Sequence, residues 1–248
     1  MFGKRELAHL VIAVLVLGFI FGYDDGSHVF ALSNWLINFL SLCFIVFVSL
    51  FLRLLVMKLF ALRYRTKVEF EIWNINRFWL SKSSKIKNSF VNWVRKDLIK
   101  KFPIGIAVGF YFTFLSFGKI FFTGVFSHNL TADENARIGR SWKKLTEYEE
   151  SLIFIFGFLA TLFLAVIGKA LMFDKLYMVN FWIFFFHYAP IPGLDGCKLF
   201  FARKSFYILF LIFAILFFIL IKLGLIFGII ASGFLGLVLF AMYWWRFE

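Results

Sequence analysis

Apolar residues run in long blocks along this chain, and charged residues gather in the short stretches between them. Behind Lys4 and Arg5 an apolar run ends at Gly22, which predicts a helix over about Glu6–Gly22. A loop with Asp24 and Asp25 leads to a longer predicted helix, about Asn34–Leu62, carrying Arg53 and Lys58 in its last third. The next stretch, Arg63–Lys101, is polar and basic. Within it Val68-Glu69-Phe70-Glu71-Ile72 alternates with the period of a strand. A turn through Asn74-Ile75-Asn76 would close a β-hairpin there, and a short amphipathic helix is expected around Phe90–Leu98.

Phe102–Phe126 is apolar but broken by Pro103, Gly105, Gly109, Gly118 and Gly124, with Lys119 inside. A second polar segment, Ser127–Glu150, carries Arg137, Arg140, Lys143 and Lys144. Three apolar stretches follow, Ser151–Phe173, Leu176–Tyr188 and Phe206–Trp245. The last has room for two helices of about 20 residues, the length that spans a bilayer, with Lys222 and Gly224 marking the turn between them. Cytoplasmic loops carry the Lys/Arg excess. If Phe102–Phe126 dips into the membrane and returns, both basic segments and Cys197–Lys204 fall on the cytoplasmic side; a full crossing would put Ser127–Glu150 outside. Irregular backbone at membrane depth survives only where protein or a cavity shields it, and the Gly/Pro set suits that role. The re-entrant reading gives six crossings with both termini cytoplasmic.

Composition points the same way. Of 248 residues 62% are hydrophobic and 40 are Phe, well above the 45–50% apolar content usual for soluble domains. The expected fold class is an all-α polytopic membrane protein: about six transmembrane helices, a re-entrant Gly/Pro-rich segment and a small β-hairpin, in one integral membrane domain over 1–248. The first apolar run is followed by Tyr23-Asp24-Asp25 rather than a small-residue cleavage site, so it reads as a retained helix. The net charge of +13 sits at the ends of apolar runs, where it meets anionic lipid. The partner it implies is the lipid bilayer, with no nucleic acid. Cys43 lies in an apolar run and Cys197 in a predicted loop, so no disulfide framework is expected. Asn129-Leu130-Thr131 has the pattern of a glycosylation sequon, expected to be unused on the inside. Trp244-Trp245-Arg246 reads as an interfacial anchor, and Glu147, Glu149 and Glu150 as charges favouring a helix start.

One segment carries chemistry. From Asn180 the chain reads NFWIFFFHYAPIPGLDG, ending at Gly196. A carboxylate at the end of a membrane helix costs about 2.5–3.5 kcal/mol at bilayer depth, so Asp195 is either a loop residue outside the membrane or has a specific role. His187-x-x-Pro190-x-Pro192-x-Leu194-Asp195-Gly196 resembles the second metal motif of the site-2 proteases, a family of intramembrane zinc metallopeptidases. His187 stands where that family usually has Asn, and Gly193 where it often has Pro. IFIFGFLATLFL, from Ile153 to Leu164, is similar to the family's Gly-Pro-x-x-Asn helix, keeping Gly157 but with Phe158 for Pro and Thr161 for Asn. KLFALRYRTKVEF, from Lys58 to Phe70, resembles the stretch after the zinc helix in archaeal-type members. The resemblance covers a core at 34–200, with a C-terminal helical pair at 206–245. It implies that Asp195 holds the position of the third zinc ligand.

The rest of a zinc site is missing. The family needs His-Glu-x-x-His on a helix, two imidazoles on one face and a general base between them. Counting back from Arg63-Tyr64, its place is Arg53-Leu54-Leu55-Val56-Met57. A rival register, Arg5-Glu6-Leu7-Ala8-His9, keeps the Glu and one His at the chain's start; there Glu6 is better read as a first-turn charge. The chain has 4 His: His9, His28, His128 and His187. His28 and His128 are expected as surface loop residues, and His187 as a cap near the proline turn. Only Asp195 and, more weakly, His187 could approach a metal. The expectation is therefore no catalytic residue and no cofactor, zinc belonging to the active relatives. In the place of zinc, the Arg53 guanidinium should approach the Asp195 carboxylate, since an unpaired buried charge is costly. Met57 should fill the second histidine's space. Around this pair the expected pocket comprises Met57, His187, Pro190, Pro192, Gly196 and Gly157. The alternative for Arg53 is to pair elsewhere or to snorkel to the cytoplasmic face.

Three functions follow as expectations. The first is a catalytically inactive site-2-protease-like protein that binds a membrane protein or peptide, with the strand Val68–Ile72 taking an extended peptide by strand addition. The second is an active metalloprotease with atypical ligands, His9 or His187 with Asp195. The third is a small transporter or lipid-associated protein. No phosphate loop, Ser-His-Asp set or nucleotide fingerprint is visible.

Overall fold

The computed structural model describes residues 3–24, 26, 31–76, 101–133, 144–221 and 224–247. It is mostly helical, with two small two-stranded sheets among the described residues. In chain order the elements are α1 (Lys4–Gly22), α2 (Leu32–Arg63), β1 (Thr66–Ile72), β2 (Ile75–Asn76), β3 (Lys101–Phe102), α3 (Ile104–Leu115), β4 (Phe126–Ala132), α4 (Glu147–Ala170), α5 (Asp174–Tyr188), α6 (Asp195–Ala202), α7 (Lys204–Leu220) and α8 (Leu225–Phe247). Three of them, α1, α2 and α4, are long and apolar enough to cross a bilayer. Side chains such as Phe44 (69% exposed) and Phe163 (60%) point away from the protein, as apolar groups do when lipid is their solvent.

The chain forms two compact units, Met1–Phe47 with Glu69–Asn129, and Val48–Val68 with Leu130–Glu248. The division falls inside α2 and inside both strands of the β1–β4 sheet.

In the first unit α1 packs on α3 through absent side chains. A Cβ on Gly109 would come within 2.9 Å of Ile20 Cδ1, and one on Gly105 within 2.7 Å of the Gly124 carbonyl. Helix α3 has 12 residues, about 18 Å at 1.5 Å per residue, short of a 30 Å hydrocarbon core. It stops where Phe117 and Gly118 take positive φ (52° and 76°), with the Gly118 amide donating to Thr113 O at 2.9 Å. The chain then runs without regular structure into β4.

The strand predicted from alternation is present, with Thr66, Val68, Phe70 and Ile72 buried, but its partner differs from expectation. No hairpin closes through Asn74-Ile75-Asn76. Strand β1 pairs with β4, and Ile75 and Asn76 pair instead with Phe102 and Lys101. A period of two identifies a strand and its buried face, not the distant segment that completes the ladder. What recruits β4 is packing: the Phe70 and Phe126 rings stack at 5.0 Å. His128, expected in a surface loop, is wholly buried in β4, edge-on to Phe70 at 5.4 Å and to Phe126 at 5.5 Å. Its imidazole is flat enough to pack as a third ring. Asn129 of the sequon donates to Glu71 Oε2 at 2.8 Å. The predicted helix at Phe90–Leu98, His28, Lys222 and residues 134–143 of the second basic segment lie outside the described residues.

The second unit holds the second half of α2 with α4 to α8. Helix α4 starts in a capping box: Thr146 Oγ1 accepts from the Glu149 amide at 3.3 Å and Glu149 Oε2 from the Thr146 amide at 3.1 Å. It turns into α5 at Gly168, where a Cβ would lie 2.6 Å from the Tyr177 amide nitrogen. Cys197, expected in a loop, is a helical residue of α6 and buried. The predicted 40-residue C-terminal stretch forms two packed helices, α7 ending at Leu220 and α8 starting at Leu225.

Candidate functional site

All the groups that come together at Asp195 belong to the second unit. They are set by α2, α4 and the α5–α6 turn. Ser49, Arg53 and Met57 lie at successive i, i+4 positions and so share one face of α2. In a helix otherwise this apolar, two polar residues and a thioether on one stripe must meet a polar groove. That groove is α4, where Gly157, Phe158 and Thr161 face them.

The α5–α6 turn delivers the carboxylate. Helix α5 ends at Tyr188; Pro190 and Pro192 cannot supply amides to continue it, and both are exposed, so they shape the turn rather than line a pocket. Gly193 takes φ 94°, and the chain re-enters helix with Asp195 as the first residue of α6. A carboxylate is favoured at that end of a helix dipole. Gly196 is dictated by close approach, because a Cβ there would collide with the Tyr188 carbonyl. Tyr188 and Tyr207 stack at 4.8 Å, and each hydroxyl donates to the other's carbonyl oxygen, so the end of α5 is tied to α7. His187 sits fully buried in the last turn of α5.

Arg53 and Asp195 are 1% and 0% exposed, and Arg53 Nη2 lies 2.9 Å from Asp195 Oδ2. The other guanidinium nitrogen, Nη1, is 3.4 Å from Thr161 Oγ1. Thr161 in turn donates to Gly157 O at 3.1 Å, which leaves its oxygen as an acceptor toward the arginine. The Phe158 ring underlies the guanidinium, with Cζ 4.6 Å from the centroid, a cation–π contact that gains strength where water is excluded. One turn further along α2, the fully buried Met57 fills the space over Gly157, where a Cβ would be 2.7 Å from Met57 Cγ and Sδ. The three α4 positions singled out in the sequence thus each meet the α2 face: Gly157 makes room, Phe158 stacks and Thr161 accepts. One turn the other way, Asn180 Nδ2 donates to Ser49 Oγ at 3.0 Å, joining α5 to α2.

This donor set does not fit zinc. A guanidinium has no lone pair to give and is itself a cation, and a thioether is a poor ligand for a borderline-soft ion that favours thiolate, imidazole and carboxylate. Among the described residues no three His, Cys, Asp or Glu form a group that could hold a metal ion. The rival-register residues lie in the first unit with a different role. Glu6 Oε2 accepts from the Gly3 amide at 3.2 Å, closing the start of α1, and its Oε1 accepts from the Phe70 amide at 3.2 Å.

Sequence reasoning missed Phe158 as the arginine's aromatic partner, the Ser49–Asn180 bond and the tyrosine clamp. The first two had a signal, since Ser49 and Arg53 share a face of an apolar helix. The clamp had none, because it depends on how α5 and α7 meet. No protein-family model matches the chain, and neither a curated protein nor a solved structure matches it.

Proposed function

We propose that this chain is a catalytically inert membrane protein of the site-2-protease type, in which an arginine–aspartate pair occupies the metal position and the sheet edge receives extended peptide. The observation that carries the proposal is the Arg53–Asp195 contact at 2.9 Å, with Met57 one turn away at the second histidine's position. An imidazole–zinc–carboxylate path measures about 4 Å from nitrogen to oxygen. Arginine is longer than histidine from the same backbone position, so a direct hydrogen bond spans the gap that metal and imidazole would have filled. The positive charge of zinc is replaced by that of the guanidinium, which sits against the Asp195 carboxylate in a site closed to solvent. The general base of the family's helix motif falls at Leu54, which has no proton-accepting group.

The proposed topology is the re-entrant one: six crossings, both termini cytoplasmic, and the segment 102–126 dipping into the bilayer. A 12-residue α3 followed by irregular return supports it, since neither part alone spans hydrocarbon. Peptide capture rests on β1, a short strand of a two-stranded sheet, whose edge away from β4 is the one to which a strand would add. Cleavage of a transmembrane peptide by the purified protein, with and without added zinc, tests the proposal. No product in either condition is expected; zinc-dependent, chelator-sensitive product would overturn it in favour of an active peptidase.

A further inference from the structure

Strand β1 has two edges, and the backbone bonds at its ends identify them. The Trp73 amide donates to Val125 O at 2.8 Å, and Arg65 O accepts from the Asp133 amide at 3.1 Å. Odd-numbered residues of β1 therefore point their amides and carbonyls at β4, as an antiparallel ladder requires. The even-numbered ones, Val68, Phe70 and Ile72, point to the opposite edge. At the centre of that edge, Phe70, both backbone groups meet side chains from the first turns of α1. Its amide donates to Glu6 Oε1 at 3.2 Å, and its carbonyl faces His9 Nδ1 at 3.4 Å. A carbonyl oxygen can only accept, so Nδ1 carries the proton in this contact.

We infer that Glu6 and His9 act as a latch that imitates one residue of a partner strand at Phe70 and holds the β1 edge closed to peptides. An added strand would present one carbonyl to the Phe70 amide and one amide to the Phe70 carbonyl. The carboxylate oxygen stands where the first would be, and the imidazole N–H where the second would be. Their spacing of three residues puts both on one face of α1. Helix α1 covers the edge without itself being a strand, a means of shielding an edge from uncontrolled pairing. An incoming extended peptide of alternating β-branched residues must displace both side chains, and its own main chain then restores both bonds. The latch rests on the peptide-capture reading above and supplies its regulation: the edge opens when the start of α1 moves.

The test uses the full chain in detergent and a fluorescein-labelled heptapeptide of alternating Thr and Val, with a control peptide carrying Pro at its centre. Two hydrogen bonds no longer need breaking in Glu6→Ala/His9→Ala, so this variant should bind the Thr/Val peptide roughly tenfold tighter than wild type. His9→Ala, which leaves the Glu6–Gly3 contact of the helix start intact, should bind several-fold tighter. Glu6→Gln keeps an acceptor oxygen and should match wild type, and the Pro peptide should bind none of them. Hydrogen exchange at the Phe70 amide should be faster in the double variant. Equal affinity for wild type and both alanine variants, or unchanged Phe70 exchange, overturns the latch and leaves peptide capture standing. Absence of binding to every variant overturns peptide capture, and the latch with it.

Discussion

Arg53→Leu tests the pair at the core of the second unit. The substitution keeps an apolar stem on α2 and deletes three things at once: the charge-assisted bond to Asp195 at 2.9 Å, the contact to Thr161 at 3.4 Å and the cation over Phe158 at 4.6 Å. It leaves a carboxylate with 0% exposure. Because both groups are shut away from solvent, the small values typical of surface ion pairs do not apply. Removing one partner of a buried pair costs about 3–5 kcal/mol, most of it the stranded charge. Asp195→Leu should cost a similar amount, stranding the guanidinium. Replacing both together removes both charges, and such replacements are often neutral. Arg53→Leu/Asp195→Leu should therefore recover most of either loss, a coupling of about 3 kcal/mol or more. The assay is reversible unfolding of wild type, both single variants and the double variant in mixed detergent. Losses that simply add would refute the reasoning, and so would an Arg53→Leu protein as stable as wild type.

Three further substitutions probe the surroundings. Gly196→Ala drives a Cβ into the backbone carbonyl of Tyr188, which cannot yield as a side chain can; destabilisation by more than about 3 kcal/mol is expected in the same unfolding assay. Gly157→Ala meets the flexible Met57 at 2.7 Å and should cost about 1–3 kcal/mol, with Met57→Ala in the same chain costing less than the two separate losses summed. Thr146→Ala removes the acceptor of the Glu149 amide at 3.3 Å and should lower stability by about 1 kcal/mol, read as faster exchange in the first turn of α4.

How far the sequence reached depends on the range of each interaction. Helix positions followed from blocks of apolar residues, and the breaks between α5 and α6 from Pro190, Pro192 and Gly193, all local signals. The Arg53–Asp195 juxtaposition, 142 residues apart, was expected because the site-2-protease resemblance sets Arg53 at the first histidine's place and Asp195 at the third ligand's, and an unpaired buried charge is costly. The β1–β4 ladder was not legible, because Asn74-Ile75-Asn76 offers a nearby turn while the true partner depends on Phe126 stacking on Phe70. His128 was misread for a related reason, since a titratable side chain in a polar stretch looks exposed until two phenyl rings close over it. Glu6 was read correctly as a first-turn charge, but its second bond, to Phe70, required knowing where β1 passes.

The central claim is that a guanidinium has taken the place of a metal ion, and zinc content per chain tests it most directly. The measurement compares wild type with Arg53→His/Met57→His, which places two imidazoles one turn apart on α2, on the face that carries Arg53 to Asp195. Wild type should carry no stoichiometric zinc, and the variant should gain one zinc per chain. One zinc per chain in wild type, held by nitrogen donors at Asp195, would contradict the account.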